Sequence, residues 1–279
     1  MIQRQSNNVF VRASRRFVRE VRAAEETLIG FERGRPGSII AQSIWEPENA
    51  SDYCQRCGAS LALAFRNGLA MSESSEGVCI ACENTRAIGA GVVRLGVFEP
   101  PLSEWICAVK YARWESMGHA LGVHLGNAIA ARVPELRGRG VVIPIPMPRA
   151  RRRVRGIDHA RVIAQGVGEA LGIRVRQPLI QRAGATQVGR SRSARHRRKS
   201  PFELGWFSTN LAGQRVVLVD DVLTSGRTAR SAIGGLEPLH PGPVLFSVLA
   251  MATANFPTNG RKPATDGAMT HCQARPGKR

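Results

Sequence analysis

The stretch VVLVDDVLTSGRTA, residues 216 to 229, runs four apolar residues into two aspartates, then into threonine, serine and a glycine. A short apolar run bounded by polar residues reads as a buried strand, here Arg215 to Val219, with a helix beginning near Thr228. A parallel strand that ends in carboxylates presents them at the C-terminal edge of the sheet, where open α/β sheets bind ligands. The residues that follow, Thr224, Ser225, Gly226, Arg227 and Thr228, offer hydroxyls and backbone N–H groups to an anion at a helix start. A phosphate fits that loop, and Asp220 and Asp221 beside it suit sugar hydroxyls or a magnesium ion. The plainer alternative is a strand-to-helix turn with Thr224 as its cap and two exposed aspartates. Neither G-x-x-x-x-G-K-[ST] nor G-x-G-x-x-G occurs, so Walker and dinucleotide loops are excluded.

The surrounding chain supports an α/β sheet. VVIPIPMP (141 to 148) reads as a buried strand with a proline-rich exit, and 158 to 172 places apolar residues at helical spacing. A strand near Ile173 to Leu179 and another at Val244 to Met251 complete the pattern. Strands separated by helix-length segments imply parallel pairing. Residues 1–50 read as a weakly ordered extension with a short helix around Arg15 to Ile29, and the tail 256–279 as disordered. Between them lie a cysteine-bearing segment, 51–88, and the α/β domain, 89–255.

No apolar stretch approaches the ~20 residues of a membrane helix, and no secretory signal is visible, so a cytoplasmic location is expected. The net charge of +19 is concentrated. Arg149 to Lys199 holds fourteen arginines and one lysine against Asp158 and Glu169, a local excess of thirteen. Such a block implies an anionic partner, phosphate groups or nucleic acid; a solvated basic face is the bland alternative.

Cys54 and Cys57 form one C-x-x-C, and Cys79 and Cys82 a second, with 21 residues between the pairs. Two such pairs can close a tetrahedral thiolate shell around a structural zinc, and Gly58 suits the knuckle turn. Disulfides fit a reducing compartment poorly, and a lone redox pair leaves the other unexplained. Cys107 and Cys272 read as incidental.

VVLVDDVLTSGRT resembles the phosphoribosyl-pyrophosphate signature of type I phosphoribosyltransferases. With four cysteines ahead of it, the chain resembles the ComF family of competence-associated, phosphoribosyltransferase-like proteins. Further matches follow in order: VFEPPLSEWICAVKYARWE, with Lys110 and Tyr111; IPIPMPRARRRVRGIDHARVIAQGVGEALGI; and RAGATQVGRSRSARHRRKSPFEL. Together they span roughly Ser51 to Ala252. The resemblance implies a type I phosphoribosyltransferase-like parallel sheet with flanking helices, preceded by a zinc-ribbon-like segment. It implies that Asp220 and Asp221 contact the ribose hydroxyls, directly or through magnesium. The loop from Thr224 to Thr228 would then wrap the 5′-phosphate. Lys110 would meet pyrophosphate, although on its own it equally suits a helix C-terminus, and Arg149, Arg151 to Arg153 and Arg155, which follow a strand, could receive pyrophosphate as well.

Two functions follow from the resemblance. One is transfer of a phosphoribosyl group from phosphoribosyl pyrophosphate to a nitrogen nucleophile. The other is single-stranded DNA binding that aids DNA uptake, with Arg182 to Lys199 as a mobile basic flap in either case. Aromatics are scarce at 5%, and none lies between Arg149 and Lys199, which counts against base stacking. The chain also departs from the family: Ile157-Asp158-His159 stands where Phe-Asn-Gln is usual after Arg155-Gly156. His159 reads as a cap or surface residue before it reads as a base.

Overall fold

The computed structural model describes residues 34–61, 77–79, 82, 87–181, 201–206, 208 and 210–252. The chain divides into two compact units, Met1–Ile44 and Trp45–Arg279. In the first, a short helix α1, Pro36–Gln42, starts on a proline whose missing N–H has no intrahelical role there. The helix expected around Arg15 to Ile29, the Arg182 to Lys199 block and the 256–279 tail lie outside the described residues.

The second unit is built on a five-stranded parallel sheet. Its strands are β1 (Val92–Val97), β2 (Val141–Pro144), β3 (Arg174–Val175), β6 (Val216–Leu223) and β7 (Val244–Met251), ordered β1-β7-β6-β2-β3. Every residue of β2 and β7 is buried, as a parallel sheet covered on both faces requires. A small antiparallel pair, β4 (Leu179–Gln181) with β5 (Phe202–Leu204), stands apart from it.

Helices α3 (Glu115–Arg132) and α5 (His159–Leu171) pack together over one face. Their contact is close because both carry glycine at the crossing: a Cβ on Gly122 would lie 2.2 Å from the Ile163 carbonyl oxygen. Gly168 of α5 sets that helix on Val142 of the sheet. On the opposite face Ala229, Ala232 and Leu236 of α6 (Arg227–Leu236) pack with Ile143, Leu218 and Phe246.

Two boundaries differ from the sequence expectation. The strand expected to stop at Val219 continues to Leu223, so both aspartates lie within β6. The cause is β7, which runs on beside it and pairs Asp220 with Val248 and Leu223 with Met251. The strand expected near Ile173 to Leu179 is two short pieces in different sheets, interrupted at Pro178, which has no N–H to donate.

Strand β2 ends opposite Val219, one residue short of the aspartates. After β2 the chain crosses by α5 on one face; after β6 it crosses by α6 on the other. The β2–β6 border is therefore the point where the connections diverge, which is where open α/β sheets form a crevice at the strands' C-terminal ends.

Candidate functional site

Strand alternation sends neighbouring side chains to opposite faces. Asp221 is directed to the α5 side, where His159 Nε2 lies 2.5 Å from one carboxylate oxygen. Lys110 Nζ, from the last turn of α2 (Leu102–Tyr111), lies 3.1 Å from the other. All three side chains are nearly buried. Asp220 is half-buried, and its Oδ1 accepts from the Asp221 N–H at 2.9 Å.

The two carboxylates titrate apart. Burial, followed by the charge of Asp221, pushes Asp220 up to about 7. Burial acts on Asp221 in the same direction, but Lys110 and His159 outweigh it and hold Asp221 well below the usual carboxylate range.

Arg155, the last residue of α4 (Arg149–Arg155), places Nη1 3.4 Å from His159 Nδ1 and its guanidinium 5.4 Å from the Tyr111 ring centroid. Arginine only donates, so Nδ1 accepts, and Nε2 carries the proton given to Asp221. Although ligand atoms of His159, Asp220 and Asp221 all lie within 4.8 Å of one another, that tautomer leaves no lone pair on Nε2 for a cation. The oxygen donors of the aspartates suit magnesium; His159 is arranged to orient Asp221.

Asp158, not His159, caps α5: its side chain accepts from Arg161 N at 3.4 Å. The sequence preference for His159 as a cap or surface residue is thus corrected, since its side chain is 8% exposed against Asp221. The departure from Phe-Asn-Gln was the signal. Lys110, equally balanced between roles on sequence, lies on Asp221.

The loop after β6 turns through Gly226, the left-handed N-cap of α6 at φ 67°. Thr224 is half-buried, Gly226 is buried, and Ser225, Arg227 and Thr228 are exposed. Arg230 Nη2 donates to the Ser225 carbonyl at 2.7 Å, and Arg230 N–H closes the first helical bond onto Gly226 O. The amides of Arg227, Thr228 and Ala229 precede that bond and have no intrahelical acceptor, the geometry that receives an anion. Lys110 and His159 thus meet Asp221, Arg155 meets His159, and the loop follows on directly from β6.

The cysteine cluster is a second centre. The sulfurs of Cys54, Cys57, Cys79 and Cys82 all lie within 4.8 Å of one another, and Cys57 Sγ is 3.8 Å from Cys79 Sγ. Four sulfurs at the ~2.3 Å zinc–thiolate distance sit ~3.8 Å apart on a tetrahedron's edge, so the cluster fits that metal. Gly58, at φ 79°, turns the first knuckle, and Ala59 N–H and Cys79 N–H donate to Cys57 and Cys54 sulfurs. Hydrogen bonding from Cys57, Cys79 and Cys82 holds the Cys54 thiol well below its ordinary range, while the bond to Cys54 pushes Cys57 well above it. Cys82 is likewise lowered and Cys79 raised by their bonds within the cluster, and such a crowded set of thiols is what a cation relieves.

These features define the class: a parallel α/β domain, with two aspartates and an anion-receiving loop at the end of one strand, joined to a four-cysteine cluster. Within that class the chain is similar to competence protein F, in line with the ComF resemblance. It is 28% identical to competence protein F of Haemophilus influenzae over 181 residues, 63% of this chain and 74% of that one. It is 27% identical to the DNA utilization protein YhgH of Escherichia coli O6:H1 over 139 residues, 49% of this chain and 61% of that protein. A purine phosphoribosyltransferase from Pyrococcus horikoshii overlays on 46% of this chain and 69% of its own, at 19% identity and TM-score 0.30. No family model matches the chain. Among the described residues no helix is long and apolar enough to cross a membrane.

Proposed function

We propose that the chain binds phosphoribosyl pyrophosphate with magnesium at the β2–β6 crevice and transfers the phosphoribosyl group to a nitrogen nucleophile. The observation that carries this reading is the pairing of two unequal carboxylates, Asp220 and Asp221, with the anion-receiving loop Thr224 to Thr228 on the same strand. The loop holds the 5′-phosphate and the aspartates the ribose hydroxyls, with magnesium bound by the aspartates or the pyrophosphate. Lys110, beside Asp221, and Arg155, beside His159, would meet the pyrophosphate. In the transfer, the nucleophile's nitrogen bonds to the anomeric carbon as its bond to the pyrophosphate oxygen breaks. The electron pair leaves with pyrophosphate, and the nitrogen's proton passes to it or to water. Stabilising that departing charge is the site's main task.

On this reading residues 51–88 hold a structural zinc through Cys54, Cys57, Cys79 and Cys82, and 89–255 form the transferase-like domain. A full thiolate shell leaves the metal no open position, so it takes no part in the chemistry.

A second reading, single-stranded DNA binding in DNA uptake, is favoured by one feature. Helix α4 exposes Arg149, Arg151, Arg152 and Arg153 beside the crevice. The names of the two relatives, competence and DNA utilization, point the same way.

Calorimetric titration of the zinc-loaded chain with phosphoribosyl pyrophosphate and magnesium tests the first reading. Binding is expected in the wild type and absent from Asp220→Asn/Asp221→Asn. A wild type that gives no heat at millimolar ligand would refute it.

A further inference from the structure

The cysteine cluster does not stand apart from the phosphate loop. Cys54, Cys79 and Cys82 share one buried cluster with Ile88, Leu223 and Ala229. Gly58, inside the first knuckle, meets Leu223: a Cβ there would lie 3.2 Å from Leu223 Cδ2. Leu223 is the last residue of β6, immediately before Thr224. Ile88 meets the loop itself, with Cδ1 2.7 Å from where a Gly226 Cβ would sit. The Ile88 N–H donates to the Arg56 carbonyl, between the first two cysteines, at 3.5 Å. Val92 N–H donates to Gln55 O at 2.8 Å, and Gln55 N–H to Gly77 O at 2.9 Å.

We infer that the cysteine module is the floor of the phosphate loop, with Ile88 as positioning residue, so that metal occupancy sets phosphosugar affinity. The inference rests on the phosphosugar reading of the loop. Nothing covalent joins Cys54 and Cys57 to Cys79 and Cys82; all four are free thiols. A metal is the clamp between the two knuckles, and without it the short segments around them open as a local unit. Ile88 and Gly58 then lose their fixed places under Gly226 and Leu223. The loop amides stay in sequence but are no longer pre-aimed, and ordering them is charged against ligand binding.

Linkage makes the effect reciprocal. If metal raises affinity for a phosphosugar by some factor, the phosphosugar raises affinity for the metal by the same factor. A factor of roughly ten is typical of such coupling.

The test is a zinc-release titration on the full chain, with a chromogenic chelator, with and without saturating ribose 5-phosphate. Calorimetry first measures ribose 5-phosphate binding to the zinc-loaded chain. Coupling is expected to tighten zinc roughly tenfold in the presence of the sugar phosphate. Ile88→Ala is expected to keep its zinc but weaken ribose 5-phosphate binding several-fold and shrink that coupling, and Ile88→Val to restore both. Sugar-phosphate binding that leaves zinc release unchanged overturns the inference while the phosphosugar site stands. Absence of binding to the zinc-loaded chain removes that site and the inference with it. Should Ile88→Ala not fold, the wild-type titration decides alone.

Discussion

The two centres of this molecule solve opposite problems. In the cysteine cluster four like groups lie at the spacing of a tetrahedral shell, with backbone N–H groups turned to the sulfurs. In the crevice the groups are unlike: Asp221 is taken by Lys110 and His159, while among the described residues Asp220 accepts a hydrogen bond from a backbone N–H and has no ion pair. A closed shell of identical ligands belongs to structure. A half-satisfied set at a sheet's edge belongs to an arriving ligand.

The comparison breaks most visibly at the cysteines. Replacing Cys79 and Cys82 by serine should remove the metal and lower stability by on the order of 5 kcal/mol, a large share of a domain's total. Because these sulfurs pack with sheet and α6 residues, thermal unfolding should shift for the whole second unit. A variant of unchanged melting temperature by circular dichroism, with elemental analysis showing no zinc, would make the cluster an appendage.

Within the crevice the two aspartates should part company. Lys110→Met leaves Asp221 with His159 alone in a nearly buried site and should cost about 3 kcal/mol. Asp220→Asn should be neutral or stabilising above pH 7, since it removes a carboxylate that burial and Asp221 disfavour. Urea unfolding of both variants measures the contrast.

The pH dependence has a definite sign. The folded state keeps the Asp220 proton up to about 7, whereas the unfolded chain releases it near 3.8. Between those values the native state binds more protons, so Asp220 lowers stability as pH rises and adds nothing further above about 7. The Asp221 contribution runs the other way, present above the unfolded value and lost in acid. Melting temperature of Asp220→Asn against wild type from pH 4 to 8 should show the wild type falling relative to the variant.

The smallest effect is expected at α4. If its arginines meet DNA phosphates, each contributes about −0.7 to the slope of log affinity against log salt on a single strand. Arg151→Gln/Arg153→Gln should therefore flatten that slope by up to about 1.4, and Asp220→Asn should leave it alone. Fluorescence anisotropy with labelled single strands, starting at 50 mM salt, measures both.

What could be read from sequence depended on how local the cause was. Strand β7 and helix α5 follow from an apolar run and a helical period, and both lie where the pattern puts them. Strand β1 was hidden because Arg94 interrupts its apolar run; in the fold that guanidinium is fully buried, 2.7 Å from Glu48 and 4.7 Å from the Tyr53 ring centroid. The length of β6 depended on β7, a partner that no local pattern contains. The aspartates and loop were legible as chemistry because they are contiguous. His159 was not, since its meeting with Asp221 joins α5 to β6 across the sheet. Nor was the support under Gly226, because Ile88 touches it from a segment more than a hundred residues upstream.

The central claim is that the strand β6 crevice holds a sugar phosphate by its two ends. Phosphorus NMR of phosphoribosyl pyrophosphate with the zinc-loaded chain separates those ends, because the 5′-phosphate and the pyrophosphate give distinct resonances. The account predicts that the 5′-phosphate resonance shifts on adding protein and that the pyrophosphate resonances shift further once magnesium is present. A 5′-phosphate resonance unmoved by excess protein and magnesium would contradict it.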